Sequence, residues 1–245
     1  MDKEKREKLT PVLDNFEAAV KVWWKNLKKI VMIYLWGLMY AFVPLVIIAV
    51  LLGVNYWLGD SAGVALRLVT VVIAVLGFLL SMYFLIRAYI SIFLFVKHDF
   101  SGKEKELFRE SRRFFWPYFG LVLLTIIFVI LWSLLLIIPG IIYSVLYSFA
   151  CYALFFEDKR GMAAIRRSVK LATGYFWPIL GRFLFVGVIV WVFSVIVAIP
   201  LSFADENSIF ASLWSGVLQV VNLLVGPIVL FYTYNIYREL VKIKK

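Results

Sequence analysis

Six long apolar segments alternate with short polar connections along the chain. A helix needs about 20 residues to cross the ~30 Å hydrocarbon core of a bilayer, and it satisfies every backbone N–H and C=O internally. Uninterrupted apolar runs favour helices over barrel strands, in which apolar and polar residues alternate. The pattern predicts an all-α polytopic membrane protein with six transmembrane helices, at residues 30–58, 64–96, 119–138, 141–156, 181–199 and 209–237. The fourth segment is only just long enough, so a re-entrant hairpin formed with the third segment is the alternative to a full crossing.

Basic residues lie on alternate connections between these segments. Nearly all Lys and Arg residues fall in four places: eight before residue 30, six in residues 97–113, five in residues 159–170 and four from residue 238 to the end. The intervening connections have no Lys or Arg and contain Asp60, Asp205 and Glu206. Because basic residues are retained on the cytoplasmic side of a membrane, this alternation predicts that both termini are cytoplasmic.

The chain contains an internal repeat, in which a basic helix precedes two apolar segments. The second and third copies share Phe115-Trp116-Pro117 and Phe176-Trp177-Pro178, and each Trp precedes the proline of an Ile-Pro turn by 23 positions. The first copy, which starts at Trp23-Trp24, is degenerate. Proline is tolerated in the first turn of a helix and stops a helix at its end, so we expect Pro117 and Pro178 near helix starts and Pro139 and Pro200 near helix ends. The three copies predict three parallel hairpins, each preceded by an amphipathic interfacial helix.

This repeat predicts a single integral membrane domain over residues 1–245. Its parts are a cytoplasmic amphipathic helix (1–29), hairpin 1 (30–96), a cytoplasmic basic segment (97–118), hairpin 2 (119–156), a cytoplasmic basic helix (157–180), hairpin 3 (181–237) and a basic tail (238–245). The outer side then consists of three short turns.

The basic segments before the hairpins are amphipathic, and helices of this kind lie at the membrane surface with their apolar face down. In one of them Met162, Ile165, Val169 and Ala172 recur at helical spacing. Basic residues close to anionic headgroups contribute about 1 kcal/mol each. One interpretation is therefore a collar that binds anionic phospholipid; the other is that the charges only set the topology. The candidate headgroup-binding residues are Arg87, Arg112, Arg113, Arg166, Arg167, Lys170 and Arg182.

Charged residues are rare inside the predicted spans. Asp and Glu are absent from their interiors, which disfavours ion-coupled transport. Arg87 and Arg182 lie at depths from which a side chain snorkels to the interface. Gln219 and Asn222 lie near the middle of the sixth span, about one helix turn apart, and Gly226-Pro227 follows them. These residues form either a polar site for a substrate or headgroup, or hydrogen bonds between helices.

The sequence lacks the residues from which common enzyme sites are built. It has one histidine, His98, and one cysteine, Cys151, and therefore no His/Cys metal site. It has no nucleophile elbow and no Gly-rich phosphate loop, so we expect no catalytic residue, metal or cofactor. The net charge of +11 is divided among short segments, and attraction to a membrane surface explains it better than nucleic-acid binding.

The central part of the sequence resembles a known membrane domain. The resemblance covers roughly residues 115–185 and is carried by Ile138-Pro139-Gly140-Ile141, Glu157-Asp158, Gly161, Ala164-Ile165-Arg166-Arg167-Ser168 and Gly174-Tyr175-Phe176-Trp177. It is similar to the membrane domain attached to some glycerophosphoryl diester phosphodiesterases and to related stand-alone prokaryotic membrane proteins. The resemblance implies a protein of a bacterial or archaeal plasma membrane that works near phospholipid metabolism. It implies no catalytic residue, because the phosphodiesterase activity belongs to a separate soluble barrel domain.

These observations favour a non-enzymatic membrane protein that binds or organises phospholipid, preferentially anionic, and presents it to a membrane or cytoplasmic protein partner. The alternative is a transporter or lipid flippase that uses a polar site in the sixth span. The first hypothesis depends on the basic residues, and the second depends on Gln219 and Asn222.

Overall fold

The computed structural model describes residues 9–59, 63–205 and 208–244, and all their regular secondary structure is helical. Within those ranges the α-helices are α1 (Val12–Leu58), α2 (Val64–Lys97), α3 (Glu104–Leu135), α4 (Ile137–Tyr147), α5 (Ala150–Glu157), α6 (Met162–Ala172), α7 (Phe176–Ala198) and α8 (Ile209–Ile243). Six helical segments of this part of the chain are long and apolar enough to cross a membrane, and α4 and α5 together make the fourth. The predicted all-α class, with six segments suited by length and composition to cross a membrane, is confirmed. Asp60 and Glu206, predicted in outer turns, lie outside the described residues.

Two of the three predicted interfacial helices are not separate helices. Helix α1 runs from the amphipathic segment into the first span without a break, and α3 does the same. Pro117 therefore lies inside α3 and not in its first turn, which corrects the prediction. A helix that has already formed gains one hydrogen bond per added residue, and this propagation outweighs the cost of a single proline. The predicted basic tail, residues 238–245, is also helical as far as Ile243.

The third predicted interfacial helix, α6, is separate. It lies between Gly161 and Gly174, which have φ values of +52° and +87° that favour glycine. Its buried face includes Ile165 and Leu171 and packs against α4, α5 and α8, whereas Met162 is exposed. The apolar face of α6 is thus covered by protein and not by lipid, contrary to the expectation. At the following helix the prolines lie as predicted: Pro178 is in the first turn of α7, and a 3₁₀ turn containing Pro200 follows its end.

The helix of the fourth predicted span is interrupted between α4 and α5, and Ser168 of α6 forms hydrogen bonds with the backbone at the interruption. The Phe149 N–H donates to Ser168 Oγ at 3.0 Å, and Ser168 Oγ donates to the Leu146 carbonyl at 2.6 Å. Ser168 is fully buried. One hydroxyl thereby satisfies two backbone groups that the interrupted helix leaves without partners, which is necessary in a water-free environment.

The chain divides into two compact units. The larger unit comprises Met1–Leu27 and Pro117–Lys245, and the smaller unit comprises Lys28–Trp116. The smaller unit covers nearly the same residues as predicted hairpin 1 together with the basic segment that follows it. The larger unit contains the segments predicted as hairpins 2 and 3.

Hydrogen bonds to backbone carbonyls of α8 hold the larger unit together. Trp23 Nε1 donates to the Leu224 carbonyl at 2.8 Å, and Tyr152 OH donates to the Leu230 carbonyl at 2.9 Å. Tyr152 also stacks on Tyr234 and Tyr237, with ring centroids 6.3 and 5.5 Å apart. Tyr234 and Tyr237, in the C-terminal part of α8, therefore pack against α5 within the larger unit.

In the smaller unit α1 and α2 approach closely at glycines. A Cβ at Gly37 would lie 2.5 Å from the Cβ of Ala88, which is closer than two carbon atoms can pack. A Cβ at Gly77 would lie 2.9 Å from the Cδ1 of Ile48. Ser81 Oγ further donates to the Ala41 carbonyl at 3.1 Å. Small residues at such contacts let two membrane helices pack backbone to backbone.

Candidate functional site

The smaller unit contains a cavity of about 430 Å³ that we call the Arg87 cavity. Helix α1 contributes Trp36 and Tyr40, and α2 contributes Phe84 and Arg87. The first two turns of α3 contribute the remaining lining residues, which are Lys105, Glu106, Phe108 and Arg109. Three helices therefore bring three basic side chains, four aromatic rings and one carboxylate to one place.

Arg87 is fixed in this cavity by neutral groups of α3. Its Nε donates to Ser111 Oγ at 3.1 Å, and its Nη2 donates to the Phe108 carbonyl. Ser111 Oγ donates to the same carbonyl at 2.7 Å. The guanidinium carbon lies 4.3 Å from the centroid of the Phe108 ring. Among the described residues Arg87 hydrogen-bonds only to uncharged groups, so its positive charge, 92 % buried, is not neutralised by a carboxylate.

Aromatic rings form one wall of the Arg87 cavity. Tyr40 stacks on Phe108, with ring centroids 5.5 Å apart and an interplanar angle of 2°, and on Phe84 at 5.4 Å. The ammonium of Lys105 lies 5.9 Å from the centroid of Trp36. Lys105 and Arg109 are both exposed at the rim. The cavity thus has a buried, oriented cation at its base, an aromatic wall and two exposed cations at its opening.

Arg112 and Arg113, also predicted as headgroup-binding residues, do not line the Arg87 cavity. They line an open depression of about 680 Å³ on α3 with Arg109, Glu106 and Glu110. Glu110 also pairs with His98 at 3.1 Å. The two carboxylates offset part of the basic charge of this depression, whereas the Arg87 cavity has one carboxylate, Glu106, beside three basic residues.

In the larger unit Arg167 is paired with a carboxylate. Its Nε donates to both carboxylate oxygens of Glu157 at 2.9 Å. Tyr237 OH donates to Glu157 Oε1 at 2.8 Å, and Lys159 Nζ lies 2.9 Å from Oε2. Arg167 is thereby neutralised within the protein, whereas Arg166 and Lys170 are exposed on α6.

Arg182 and Lys244 form hydrogen bonds that connect residues near the two ends of the chain to other parts of the larger unit. Arg182 Nη2 donates to the Thr10 carbonyl at 2.7 Å, and Nη1 donates to the Pro178 carbonyl at 3.1 Å. Lys244 Nζ donates to the carbonyls of Lys170 and Thr173 at the end of α6. Partial burial and the nearby cations Lys170 and Arg167 lower the pKa of Lys244. These contacts give Arg182 a structural role.

The polar residues of the sixth span lie on the surface of the larger unit. Gln219 and Asn222 are both exposed, and Ser194 Oγ on α7 donates to Asn222 Oδ1 at 2.8 Å. Pro227 is inside α8 and buried, and Gly226 beside it has open space where a side chain would be. Asn222 therefore connects two helices, as one of the two interpretations predicts.

Sequence reasoning identified Arg87 but not the residues that surround it. Trp36, Tyr40, Phe84 and Phe108 were not among the candidate residues, nor were Lys105 and Arg109. One signal was available: Trp36 and Tyr40 are four residues apart, which places them on one face of a helix. Within residues 9–59, 63–205 and 208–244, no group of three or more His, Cys, Asp or Glu side chains is arranged to hold a metal ion.

Comparison with known proteins places only the larger unit in a family. A family described as a domain of unknown function (DUF7847) matches residues 117–240, just over half of the chain. The match begins at Pro117, where the larger unit resumes after the smaller one. Neither the curated proteins nor the solved structures contain a match to the chain. The chain is therefore a member of the DUF7847 family, and its Arg87 cavity lies in the smaller unit outside the matched residues.

Proposed function

We propose that this protein is a non-enzymatic phospholipid-binding protein and that the Arg87 cavity receives an anionic headgroup. The observation that carries the proposal is a buried arginine whose hydrogen bonds go only to neutral groups, in a cavity with Lys105 and Arg109 at its opening. A buried charge is costly unless another charge compensates it. A phosphate in the cavity would supply that compensation and accept charge-assisted hydrogen bonds from the guanidinium.

Aromatic residues of both units are typical of the membrane interface. Tyr and Trp are enriched at the level of the headgroups, where their rings are apolar and their polar ends reach water. Trp36 and Tyr40 line the Arg87 cavity, and Trp116 of the smaller unit and Trp24 and Trp177 of the larger unit are each more than 70 % exposed. We therefore propose a plasma-membrane protein of a prokaryote, built from three parallel hairpins with both termini in the cytoplasm. The bound lipid would be presented to a membrane or cytoplasmic protein partner.

The alternative function, transport through a polar site in the sixth span, has less support. Asn222 accepts a hydrogen bond from Ser194, and both Asn222 and Gln219 lie on the exposed surface of α8. Buried or lipid-facing amides in membrane helices commonly serve as contacts between helices. We therefore do not assign a transport site to these residues.

The proposal is tested by lipid binding to the purified full chain, measured by native mass spectrometry with dioleoyl phosphatidic acid as the probe. The variant Lys105→Ala/Arg109→Ala removes the two cations at the opening of the Arg87 cavity. We expect its apparent Kd to rise about 30-fold at low ionic strength, since each cation near an anionic headgroup contributes about 1 kcal/mol.

The matched control is Arg166→Ala/Lys170→Ala, which removes two exposed cations of α6 in the larger unit. It lowers the net charge by the same amount and should leave binding nearly unchanged. If both variants bind the probe as tightly as the original chain, the Arg87 cavity is not the headgroup site. If only the α6 variant loses binding, the basic collar and not the Arg87 cavity holds the lipid.

A further inference from the structure

A second cavity adjoins the Arg87 cavity and has a different chemistry. This apolar groove has a volume of about 410 Å³ and lies on α1 and α2 of the smaller unit. Its lining residues are Tyr40, Val43, Pro44, Ile47, Ile73, Leu76, Gly77, Leu80 and Phe84. Tyr40 and Phe84 also line the Arg87 cavity, so the stacked pair of rings separates the two spaces.

Two residues without long side chains shape the groove. Gly77 has no side chain, and Pro44 presents only its ring. A Cβ at Gly77 would lie 3.6 Å from the Cβ of Pro44 and 2.9 Å from the Cδ1 of Ile48, so the two helices are in close contact here. Along α2 the lining extends from Ile73 to Phe84, which is about 16 Å at 1.5 Å per residue.

The groove opens toward the region that lipid tails occupy. Val43, Leu76 and Leu80 are each about half exposed although they are apolar and belong to segments suited to a membrane. From the Arg87 cavity the groove extends along α1 from Tyr40 to Ile47 and along α2 from Phe84 to Ile73, and neither stretch contains a charged residue. A basic pocket that continues into an apolar groove matches a molecule with an anionic head and a long hydrocarbon chain.

We infer that the site takes a whole glycerophospholipid, with its phosphate in the Arg87 cavity and one acyl chain in the apolar groove. This inference rests on the proposed function and narrows it, because a soluble phosphate ester would use the Arg87 cavity alone. The stacked rings of Tyr40 and Phe84 then lie beside the junction between the head and the chain.

The test fills the groove without touching the Arg87 cavity. Ile47→Trp places a large side chain at a groove position that is 50 % exposed, where the helix tolerates it, about 10 Å along α1 from Tyr40. Val50→Trp is the control, because Val50 is on the same helix, is similarly exposed at 59 % and does not line the groove. The probes for the purified chain are dioleoyl phosphatidic acid and dihexanoyl phosphatidic acid, which have the same headgroup and different chain lengths.

We expect Ile47→Trp to raise the apparent Kd for the dioleoyl lipid about fivefold or more, because the indole ring occupies space that the acyl chain would fill. The dihexanoyl lipid should bind this variant as it binds the original chain, since its six-carbon chains are shorter than the distance of about 10 Å along α1 from Tyr40 to the filled position. Val50→Trp should alter neither affinity. Each variant is compared with the original chain using the same lipid, so that differences in how the two lipids partition into detergent do not affect the comparison.

The outcomes separate this inference from the proposed function. If Ile47→Trp leaves dioleoyl binding unchanged, or weakens both lipids equally, the groove does not hold an acyl chain, while the headgroup assignment stands. An equal effect of Val50→Trp would also overturn the groove assignment. If neither lipid binds the original chain, the proposed function itself fails.

Discussion

Asn222 and Gln219 are two amides on the same helix whose environments differ. Asn222 accepts a hydrogen bond from Ser194 at 2.8 Å, whereas Gln219 is exposed and has no hydrogen-bond partner among the described residues. We expect Asn222→Leu to lower the free energy of unfolding by about 1 kcal/mol, which is typical of a hydrogen bond between membrane helices. Gln219→Leu should leave stability unchanged or raise it, because leucine is the better residue against lipid. Reversible unfolding of both variants in mixed detergent measures the difference, and equal stabilities would contradict it.

At the scale of single residues, the sequence identified the charged candidate residues but not the residues that surround them in the fold. Arg87 stood out because it is a lone charge in an apolar run. Its aromatic partners did not stand out, because 18 % of the residues are Phe, Trp or Tyr, and Trp36 and Phe108 come together only through tertiary packing. Arg167 was a candidate for lipid binding because it is basic, yet Glu157, ten residues away, neutralises it. A charge pattern along a chain does not report which charges are already paired.

Ser168 connects α6 to the break between α4 and α5. Its hydroxyl accepts from the Phe149 N–H and donates to the Leu146 carbonyl. We expect Ser168→Ala to destabilise the protein by about 2 kcal/mol, since an unsatisfied buried backbone group costs about 1–3 kcal/mol. Ser144→Ala is the matched control, because the Ser144 hydroxyl is exposed and bonds only within α4, to the Ile141 carbonyl. Thermal unfolding should separate the two variants clearly. A Ser168→Ala variant as stable as Ser144→Ala would mean that the break is held in another way.

The helices themselves were predictable, and their junctions were not. The length of the uninterrupted apolar runs located all six segments, because a bilayer imposes a minimum length and forbids unpaired backbone groups. The helical periodicity of the amphipathic segments fits both a separate helix and a helix that continues into the next segment, so it could not show that α1 and α3 run on without a break. The glycines beside α6 were visible in the sequence, but only their positive φ values show that they separate it from its neighbours.

For the whole molecule the sequence predicted one domain, and the structure divides the described chain into two compact units. The division follows contacts between helices far apart in sequence, such as Trp23 with Leu224. The boundary near residue 117 lies inside the continuous helix α3, so no loop or flexible linker marks it. The family match nevertheless begins there, at Pro117. The larger unit is thus the part shared with a family, and the proposed lipid site lies in the part outside the match.

The orientation that the basic residues predict for the whole molecule is directly testable. Ser101 lies in a predicted cytoplasmic connection and Ser202 in a predicted outer one, and both are exposed. Ser101→Cys and Ser202→Cys, each combined with Cys151→Ala, give two single-thiol variants, one for each predicted side. In intact cells a membrane-impermeant maleimide should label Ser202→Cys and should reach Ser101→Cys only after permeabilisation, because the positive-inside rule predicts that residues 97–113 are cytoplasmic. Reversed labelling would contradict the orientation, and labelling of both thiols in intact cells would show that the charge bias does not fix a single topology.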